Sequence, residues 1–457
     1  MGIIALCLYA AALFHMTWRI RRQGDTVASF FINDRSSGAL EVGLSIIVSC
    51  VGASATMGVV GMAFTVGTPA VWWLGMGACG LLALSLFLAK KVRASQALTM
   101  PQLVETYLGA PARPIIAAVI VISWVAILAA QYAALVRVVQ ELTAFGPTAS
   151  LAVSILLIVA HTLGGGQAAV MRMDRIQAFV ILAGLAATGM WLTGANPTWP
   201  SKVSLELVNS QFPVGRLWYY GCIIGGSYLI CPMLFGRLLC ARGTRAARKG
   251  GVIAAGGLLL FALLIVAVGL ACRGLVPEGT PADAVLTTAL SALPPWLYLG
   301  MLLALLSAIL SSADSCLITA GTVCSHDLLR RADTTACRWC VLALGVLGAA
   351  MSHMDKSILG FLLLSYDVYV CGVVVPVCIG MLAHGKYRVS PAFACAAVCL
   401  GGVLGGVSGF TETTAWSYAG LGTAAVATLA GLRPKASPGR PAPGPEWTSP
   451  DLDPVES

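Results

Sequence analysis

Residues 293–321 read LPPWLYLGMLLALLSAILSSADSCLITAG, an apolar run that contains a polar cluster. The run exceeds the roughly 20 apolar residues that cross a bilayer as a helix. Its polar cluster consists of Ser311, Ser312, Asp314 and Ser315. Because an Asp at the centre of a membrane helix costs about 2.5–3.5 kcal/mol on insertion scales, we expect it to face protein, water or an ion. Hydroxyl and carboxylate oxygens are ligands that hard cations prefer, so the stretch predicts an ion-binding membrane helix.

The composition places nearly the whole chain in a bilayer. Of 457 residues, 58% are hydrophobic and only 10% are charged, whereas soluble proteins carry about 25% charged residues. The sequence therefore predicts an all-α polytopic membrane protein. Its apolar segments predict about thirteen transmembrane helices, at 2–18, 40–66, 70–89, 114–139, 147–165, 174–193, 216–236, 250–272, 293–321, 336–352, 357–383, 390–409 and 414–431.

The distribution of positive charge predicts the orientation of these spans. The net charge is +9, but the basic residues alternate between rich and poor loops, which indicates the positive-inside rule rather than a nucleic-acid partner. The rich loops contain Arg19, Arg21, Arg22, Arg35, Lys90, Lys91, Arg93, Arg172, Arg175, Arg237, Arg242, Arg245, Arg248, Lys249, Arg330, Arg331, Arg338, Lys386, Arg388, Arg433 and Lys435. We expect an integral protein of the plasma membrane, which in a bacterium is the inner membrane. Its N-terminus is expected outside and its C-terminus in the cytoplasm. The first span is expected to be retained, because its basic residues follow it rather than precede it.

Two spans contain signals of irregular backbone. The segment 48–58 reads VSCVGASATMG, and its small residues favour either close helix packing or a broken helix whose freed carbonyls bind an ion. In the seventh span, Pro232 removes a backbone hydrogen bond and frees a carbonyl inside the membrane. Tyr228 lies one turn earlier on the same face, either as a packed aromatic residue or as a contact for a solute.

Other polar residues leave alternatives open. Gln131 lies deep in the fourth span, where it can bond a solute or a neighbouring helix. Asp174 lies in a glycine-containing segment, 164–177, that is expected to be an inner loop. It is either an ordinary interfacial acid beside Arg172 and Arg175 or a functional group. The glycines of this segment do not indicate nucleotide binding, because no Gly-Lys-Ser or Gly-Lys-Thr follows them.

Five segments between residues 30 and 328 carry a family resemblance, which runs from about residue 30 to residue 385. The sequence resembles the sodium:solute symporters, the group that contains proline, pantothenate, sialic acid and sugar transporters. Residues 30–36 are similar to the family's F-F-L-x-G-R-S, residues 52–64 to S-A-x-T-F-x-G-x-x-G-x-A-Y, and residues 98–103 to T-L-P-E-F. Residues 165–177 are similar to G-G-x-x-A-V-x-x-T-D-x-I-Q, and residues 311–328 to M-S-T-A-D-S followed by D-I-Y.

The resemblance implies two inverted five-helix repeats, the amino-acid-polyamine-organocation or leucine-transporter-type fold. We expect an extra N-terminal helix and cytoplasmic loop at 1–37 and repeats at 38–193 and 216–385. Two additional helices at 386–431 and a disordered cytoplasmic tail at 432–457 complete this division. The tail is rich in Pro, Ser and Gly, a composition that cannot bury a core.

The resemblance also implies a set of site residues. Carried over position by position, the sodium ligands are the carbonyls of Val48, Val51 and Ala308 and the hydroxyls of Ser311 and Ser312. A second ion site, found in some members, has counterparts in Asp174, Ser311, Asp314 and Ser315. The substrate contacts match Cys50, Gly52, Gln131, Ile224, Tyr228 and Cys231.

Departures from the family pattern narrow the expected solute. The proline transporters of the family have an acidic residue where this chain has Cys50 and a Trp where it has Ile224. The family also has a Thr at the position of Met173 and a Tyr at the position of His161. Proline is therefore not favoured, and sugar recognition lacks its amides and acids. A small organic solute remains, and a carboxylated nutrient is one such solute.

The expected function is Na⁺-coupled symport by alternating access, with Na⁺ as coupling ion and no other cofactor. The alternatives are an H⁺-coupled or uncoupled carrier of the same fold and a membrane sensor that binds solute without moving it. An intramembrane enzyme would need a catalytic set, and the sequence offers neither a nucleophile–base constellation nor a metal ligand set beside Asp174 and Asp314.

Overall fold

The computed structural model describes residues 1–22, 27–196, 204–331 and 333–435 of the chain. Within these ranges the chain is almost entirely helical. The α-helices are α1 Gly2–Arg22, α2 Val27–Ile32, α3 Ala39–Cys50, α4 Val59–Val66, α5 Val71–Ala83, α6 Ala89–Ala94, α7 Met100–Leu108, α8 Ala112–Thr143, α9 Pro147–Ala195, α10 Val214–Tyr220, α11 Gly226–Leu229, α12 Pro232–Leu239, α13 Thr244–Ala271, α14 Val285–Ala289, α15 Pro295–Val323, α16 Thr334–Met351, α17 Ile358–Tyr369, α18 Val375–Ala383, α19 Pro391–Thr411 and α20 Thr414–Ala430.

Five wide π-helical turns, four short 3₁₀ helices and a small sheet complete the elements of the described ranges. The 3₁₀ helices are Asn33–Arg35, Thr68–Ala70, Ala282–Ala284 and Leu290–Ala292. The π turns are Ser54–Gly58, Leu84–Leu88, Gly221–Gly225, Cys324–Leu328 and Val370–Val374. Strand β1, Tyr387–Val389, pairs antiparallel with β2, Leu432–Pro434. The first residues of the tail predicted to be disordered are thus ordered as β2, and residues 436–457 lie outside the described part of the chain.

The predicted spans correspond to helices throughout the described residues. Eleven helices there are long and apolar enough to cross a membrane, and the bent pair formed by Ala39–Cys50 and Ser54–Val66 makes a twelfth. The thirteenth predicted span, 414–431, is the 17-residue helix α20. The prediction of an all-α polytopic membrane protein is confirmed, with the count of thirteen as an approximation.

The predicted loop at 164–177 is wrong, because this segment is helical. Helix α9 covers Pro147–Ala195 and contains a single break at Gly166, where φ is 55° and ψ is −155°. A side chain at this position would place its Cβ 2.6 Å from the ring of Phe30. The glycine therefore serves a left-handed backbone conformation and a close approach of α2.

Two spans are broken in their middle, as the sequence allowed. The first break separates α3 from the turn at Ser54, and the two halves differ in direction by 61°. In the second, Ile230 and Cys231 leave helical geometry between α11 and α12, directly before Pro232. The proline has no N–H for the helical ladder, which explains why the helix stops there.

Helix α15 is the central element of the fold. It is buried over almost its whole length and packs against α3, α8, α9 and α16. The polar cluster quoted from residues 293–321 therefore faces other helices rather than lipid, in agreement with the cost of exposing an Asp to hydrocarbon.

Candidate functional site

Four of the five predicted sodium ligands meet where α3 ends beside α15. The hydroxyl of Ser311 donates to the carbonyl of Val48 at 3.1 Å and to that of Ala308 at 3.0 Å. The hydroxyl of Ser312 donates to Val48 at 3.4 Å and to the carbonyl of Ser49 at 3.0 Å. All of these residues are buried. Two hydroxyls and three carbonyls thus form one hydrogen-bonded network between the broken helix and α15. We call these groups of Val48, Ser49, Ala308, Ser311 and Ser312 the sodium-ligand network.

The fifth predicted ligand, Val51, lies at the break itself. Its φ of −98° and ψ of 59° are non-helical, so its carbonyl does not continue the helical ladder. Gly52 follows and lies against α15, since a Cβ there would be 2.6 Å from the Cβ of Ser312. The amide of Ala53 then donates to Oε1 of Gln131 at 3.1 Å. Gln131 thus satisfies a backbone group that the break has freed.

Five of the six predicted substrate residues line one cavity beside this network. The cavity measures about 40 Å³. The predicted residues that line it are Cys50, Gly52, Gln131, Tyr228 and Cys231. Among the described residues, the lining does not include Ile224, which is buried and accepts a hydrogen bond on its carbonyl from Ser227 at 2.8 Å.

The lining of this cavity is uncharged and largely aromatic or apolar. Trp124, Tyr366 and Cys316 contribute to it although the sequence did not single them out. Tyr228, Tyr366 and Cys50 line the cavity together. The cavity also shares Ser312 with the sodium-ligand network, so a molecule in it would lie next to an ion bound there.

A buried arginine occupies the region of the predicted second ion site. The prediction of Arg237 in a basic loop is wrong, because Arg237 lies in α12 and is 0% exposed. Its guanidinium donates to Ser315 at 2.5 Å and to Ser49 at 3.1 Å, and it pairs with Asp174 at 3.5 Å. Asp174, also fully buried, accepts a second hydrogen bond from Ser45. Asp174 is therefore not an ordinary interfacial acid.

The other acid of the predicted second site, Asp314, belongs to a different pair. Its two carboxylate oxygens lie 2.5 Å from Nδ1 of His161 and 2.7 Å from the hydroxyl of Thr162. The sequence identifies His161 only as a departure from the family pattern and does not predict its pairing with Asp314. A usable signal was present, because ionisable residues of opposite sign inside apolar spans are expected to pair. The same argument would have found Arg237, which stands among Phe235, Leu238 and Leu239.

The helices enclose a much larger cavity at one end. It measures about 840 Å³ and is lined by Arg216, Asp367 and Glu412 among others. Towards the opposite end, the cavity lined by Thr99, Gln167 and Thr322 measures only about 30 Å³. The small cavity beside the sodium-ligand network thus lies between a wide cavity on the side of Arg216 and Glu412 and a narrow one on the side of Thr99 and Gln167.

The family model of the sodium:solute symporters matches residues 30–194 of this chain. The resemblance to that family is confirmed. The matched segment contains the first broken helix, Gln131 and Asp174. No curated protein has a sequence that matches the chain.

Solved transporter structures share the fold. A Na⁺-coupled sialic acid symporter in a substrate-bound outward-open state has a TM-score of 0.78 and 12% identity, covering 93% of this chain and 96% of the other. Mhp1, a nucleobase-cation-symport-1 family transporter in a closed conformation with bromovinylhydantoin bound, has a TM-score of 0.62, 14% identity and coverages of 88% and 93%. MhsT in complex with L-phenylalanine has a TM-score of 0.60, 13% identity and coverages of 87% and 99%. The predicted leucine-transporter-type fold is confirmed.

Proposed function

We propose that this protein is a secondary active transporter that moves a small organic solute into the cell together with Na⁺ by alternating access. The observation that carries the proposal is the meeting of Val48, Ala308, Ser311 and Ser312 between α3 and α15. Unwound carbonyls beside half-helix ends are the usual sodium ligands of broken membrane helices. Val51, at the break, is proposed as the fifth ligand.

The solute is proposed to bind in the cavity beside this network. Gln131 and Tyr228 would supply hydrogen bonds, and Trp124 and Tyr366 would cover its apolar surface. Since no charged side chain lines the cavity in the described part of the chain, the charge of a carboxylated solute would have to be met by Na⁺ and the ends of the broken helices. Ion and solute would then favour each other's binding, which is the coupling that symport needs.

The wide cavity is proposed to be the outer vestibule. It is lined by Thr65, Arg216 and Glu412, which the positive-inside rule assigns to the outer face of a plasma membrane. Binding of Na⁺ would favour this outward-open form by differential affinity, and the loaded protein would then close outside and open inside. The division into repeats at 38–193 and 216–385 is retained as part of the proposal.

The first prediction concerns the sodium ligands. In the double variant Ser311→Ala, Ser312→Ala, both hydroxyls are lost, so we expect Na⁺ to stop stimulating uptake and to stop raising the thermal unfolding midpoint of the purified protein. A ligand that binds only the native state raises its apparent stability. The matched control is Ser307→Ala, one turn earlier, whose hydroxyl bonds Leu303 and Tyr9 instead. Unchanged sodium dependence in the double variant would contradict the site.

The solute for the uptake assay can be found by the same measurement. Amino acids, sugars, sialic acids and vitamins are added to purified protein with Na⁺ and with choline. A solute of this transporter should stabilise the protein more in Na⁺ than in choline, because the two ligands bind cooperatively.

H⁺ coupling is the second candidate. The buried carboxylates of Asp174 and Asp314 are the observation that favours it. Uptake that is driven by a pH gradient in the absence of Na⁺ would support this candidate over the first.

A further inference from the structure

We infer that the guanidinium of Arg237 is a resident cation at the second ion position, so that the protein binds one Na⁺ in each transport cycle. The inference deepens the proposed function and rests on it. It assigns the stoichiometry of the coupling ion, which the family resemblance leaves open.

The contacts of Arg237 are those of a cation at that position. Its guanidinium contacts Ser315 at 2.5 Å and Asp174 at 3.5 Å, and both residues are among the four predicted ligands of a second ion. It also contacts Ser49 at 3.1 Å. The hydroxyls of Ser49 and Ser315 are themselves 2.9 Å apart, so the oxygens converge on one end of the arginine side chain.

The other two predicted ligands are engaged elsewhere. The hydroxyl of Ser311 contacts the carbonyls of Val48 and Ala308, which belong to the first sodium position. The carboxylate of Asp314 is bonded to His161 and Thr162. Asp174 and Ser315 are therefore left to Arg237.

Charge balance also argues against a second Na⁺ beside Arg237. A guanidinium keeps its charge at any physiological pH, and both Arg237 and Asp174 are 0% exposed. In a buried site of low dielectric, a Na⁺ on the same carboxylate would be repelled strongly by the arginine. The carboxylate of Asp174 and the guanidinium of Arg237 together already carry no net charge.

Arg237 differs from a bound ion in that it cannot leave. It lies on α12, whereas Asp174 and Ser315 lie on α9 and α15. Because Arg237 is part of the chain, it neutralises the carboxylate of Asp174 throughout the transport cycle. It is not carried across the membrane and therefore does not couple transport to the sodium gradient. A simple structural ion pair would have the same contacts, so the test must report the number of ions rather than stability alone.

The experiment measures equilibrium binding of radioactive ²²Na⁺ to the purified full-length protein. We expect one ion per wild-type protein. In Arg237→Gln the carboxylate of Asp174 loses its cation, so we expect two ions and a Hill coefficient that rises from about 1 towards 2. The double variant Asp174→Asn, Arg237→Gln removes both charges together and should bind one ion again, as should Arg237→Lys.

The control is Arg93→Gln. Arg93 is also a buried arginine, but its Nε donates to the backbone carbonyl of Ala241. This variant should bind one ion like the wild type.

Each outcome decides a separate question. Two ions on the wild-type protein would overturn the inference whatever the variants do, and a single ion on folded Arg237→Gln would show that the arginine is only structural. A wild-type protein that binds no Na⁺ would refute the proposed function instead. If Arg237→Gln fails to fold, two ions on the double variant would overturn the inference, because removing both charges of a buried pair avoids an uncompensated charge.

Discussion

Gly52 determines how closely the first broken helix can approach α15. A Cβ at this position would lie 2.6 Å from the Cβ of Ser312 and 2.9 Å from Oε1 of Gln131. It would thus push against a proposed sodium ligand and against the side chain that bonds the amide of Ala53. The absence of a side chain at residue 52 is therefore required by contact with α15 and not by backbone conformation.

The second prediction follows from this contact. Overpacking a tight site costs about 1–3 kcal/mol, so Gly52→Ala should raise the half-saturating Na⁺ concentration about tenfold, as expected for about 1.4 kcal/mol. The measurement is a Na⁺ titration of the thermal unfolding midpoint.

The matched control for this prediction is Gly38→Ala. Gly38 precedes the same helix, and a Cβ there would meet nothing within 4 Å. Equal Na⁺ affinity in the two variants would show that Gly52 does not shape the site.

For single residues, the sequence predicted the proposed sodium ligands better than it predicted which buried charged side chains pair with each other. Ser311 and Ser312 could be chosen because hydroxyls inside an apolar span need a reason to be there. Arg237 is predicted in a loop because it directly follows the predicted seventh span, 216–236, and precedes other basic residues. Its partner Asp174 is 63 positions away, and no local pattern indicates which faces of α9 and α12 meet.

The second broken helix shows how a backbone carbonyl that a helix break leaves free finds a hydrogen-bond partner inside the protein. The backbone leaves helical geometry at Ile230 and Cys231. The carbonyl of Ile230 accepts a hydrogen bond from the hydroxyl of Tyr369 at 2.6 Å, and both residues are fully buried. Non-helical backbone is tolerated at membrane depth only where such partners exist.

The third prediction removes this partner. Tyr369→Phe keeps the ring but leaves a buried carbonyl without the hydroxyl, which costs about 1–3 kcal/mol. We expect a lower thermal unfolding midpoint of the purified protein.

Tyr387→Phe is the control for Tyr369→Phe. It deletes the same atom from a residue of β1 that is 41% exposed, and it should leave the midpoint unchanged. A loss of stability of the same size in both variants would contradict the assignment.

For the whole molecule, the sequence predicted the spans, but it offered a broken helix at 48–58 only as an alternative to close helix packing. Apolar length located the helices, and Pro232 indicated the second interruption. The loop predicted at 164–177 failed because glycines and charges are typical of loops, whereas here a single residue, Gly166, absorbs the break. The small cavity could be predicted only through the family resemblance, since Trp124 and Tyr366 enter it by tertiary packing.

The fourth prediction concerns the orientation of the molecule. Arg433 and Lys435 follow α20, whereas the short connection before α20 contains no Lys or Arg. By the positive-inside rule, a fluorescent protein fused after the C-terminus should fluoresce in the cytoplasm, and alkaline phosphatase fused there should be inactive. An epitope inserted after Glu412 should be reached by antibody on intact spheroplasts. The opposite labelling pattern would reverse the proposed topology.

The π turns near the two breaks have a mechanical consequence. Ser54–Gly58 follows the first break directly, and Gly221–Gly225 lies shortly before the second. Turns of this kind are wider than an α turn and often mark functional positions. Each broken helix therefore consists of two short helical arms with a wide turn beside the gap. We expect such arms to swing individually, so that the access path could switch sides by local pivoting while the long unbroken helices keep their length and their place.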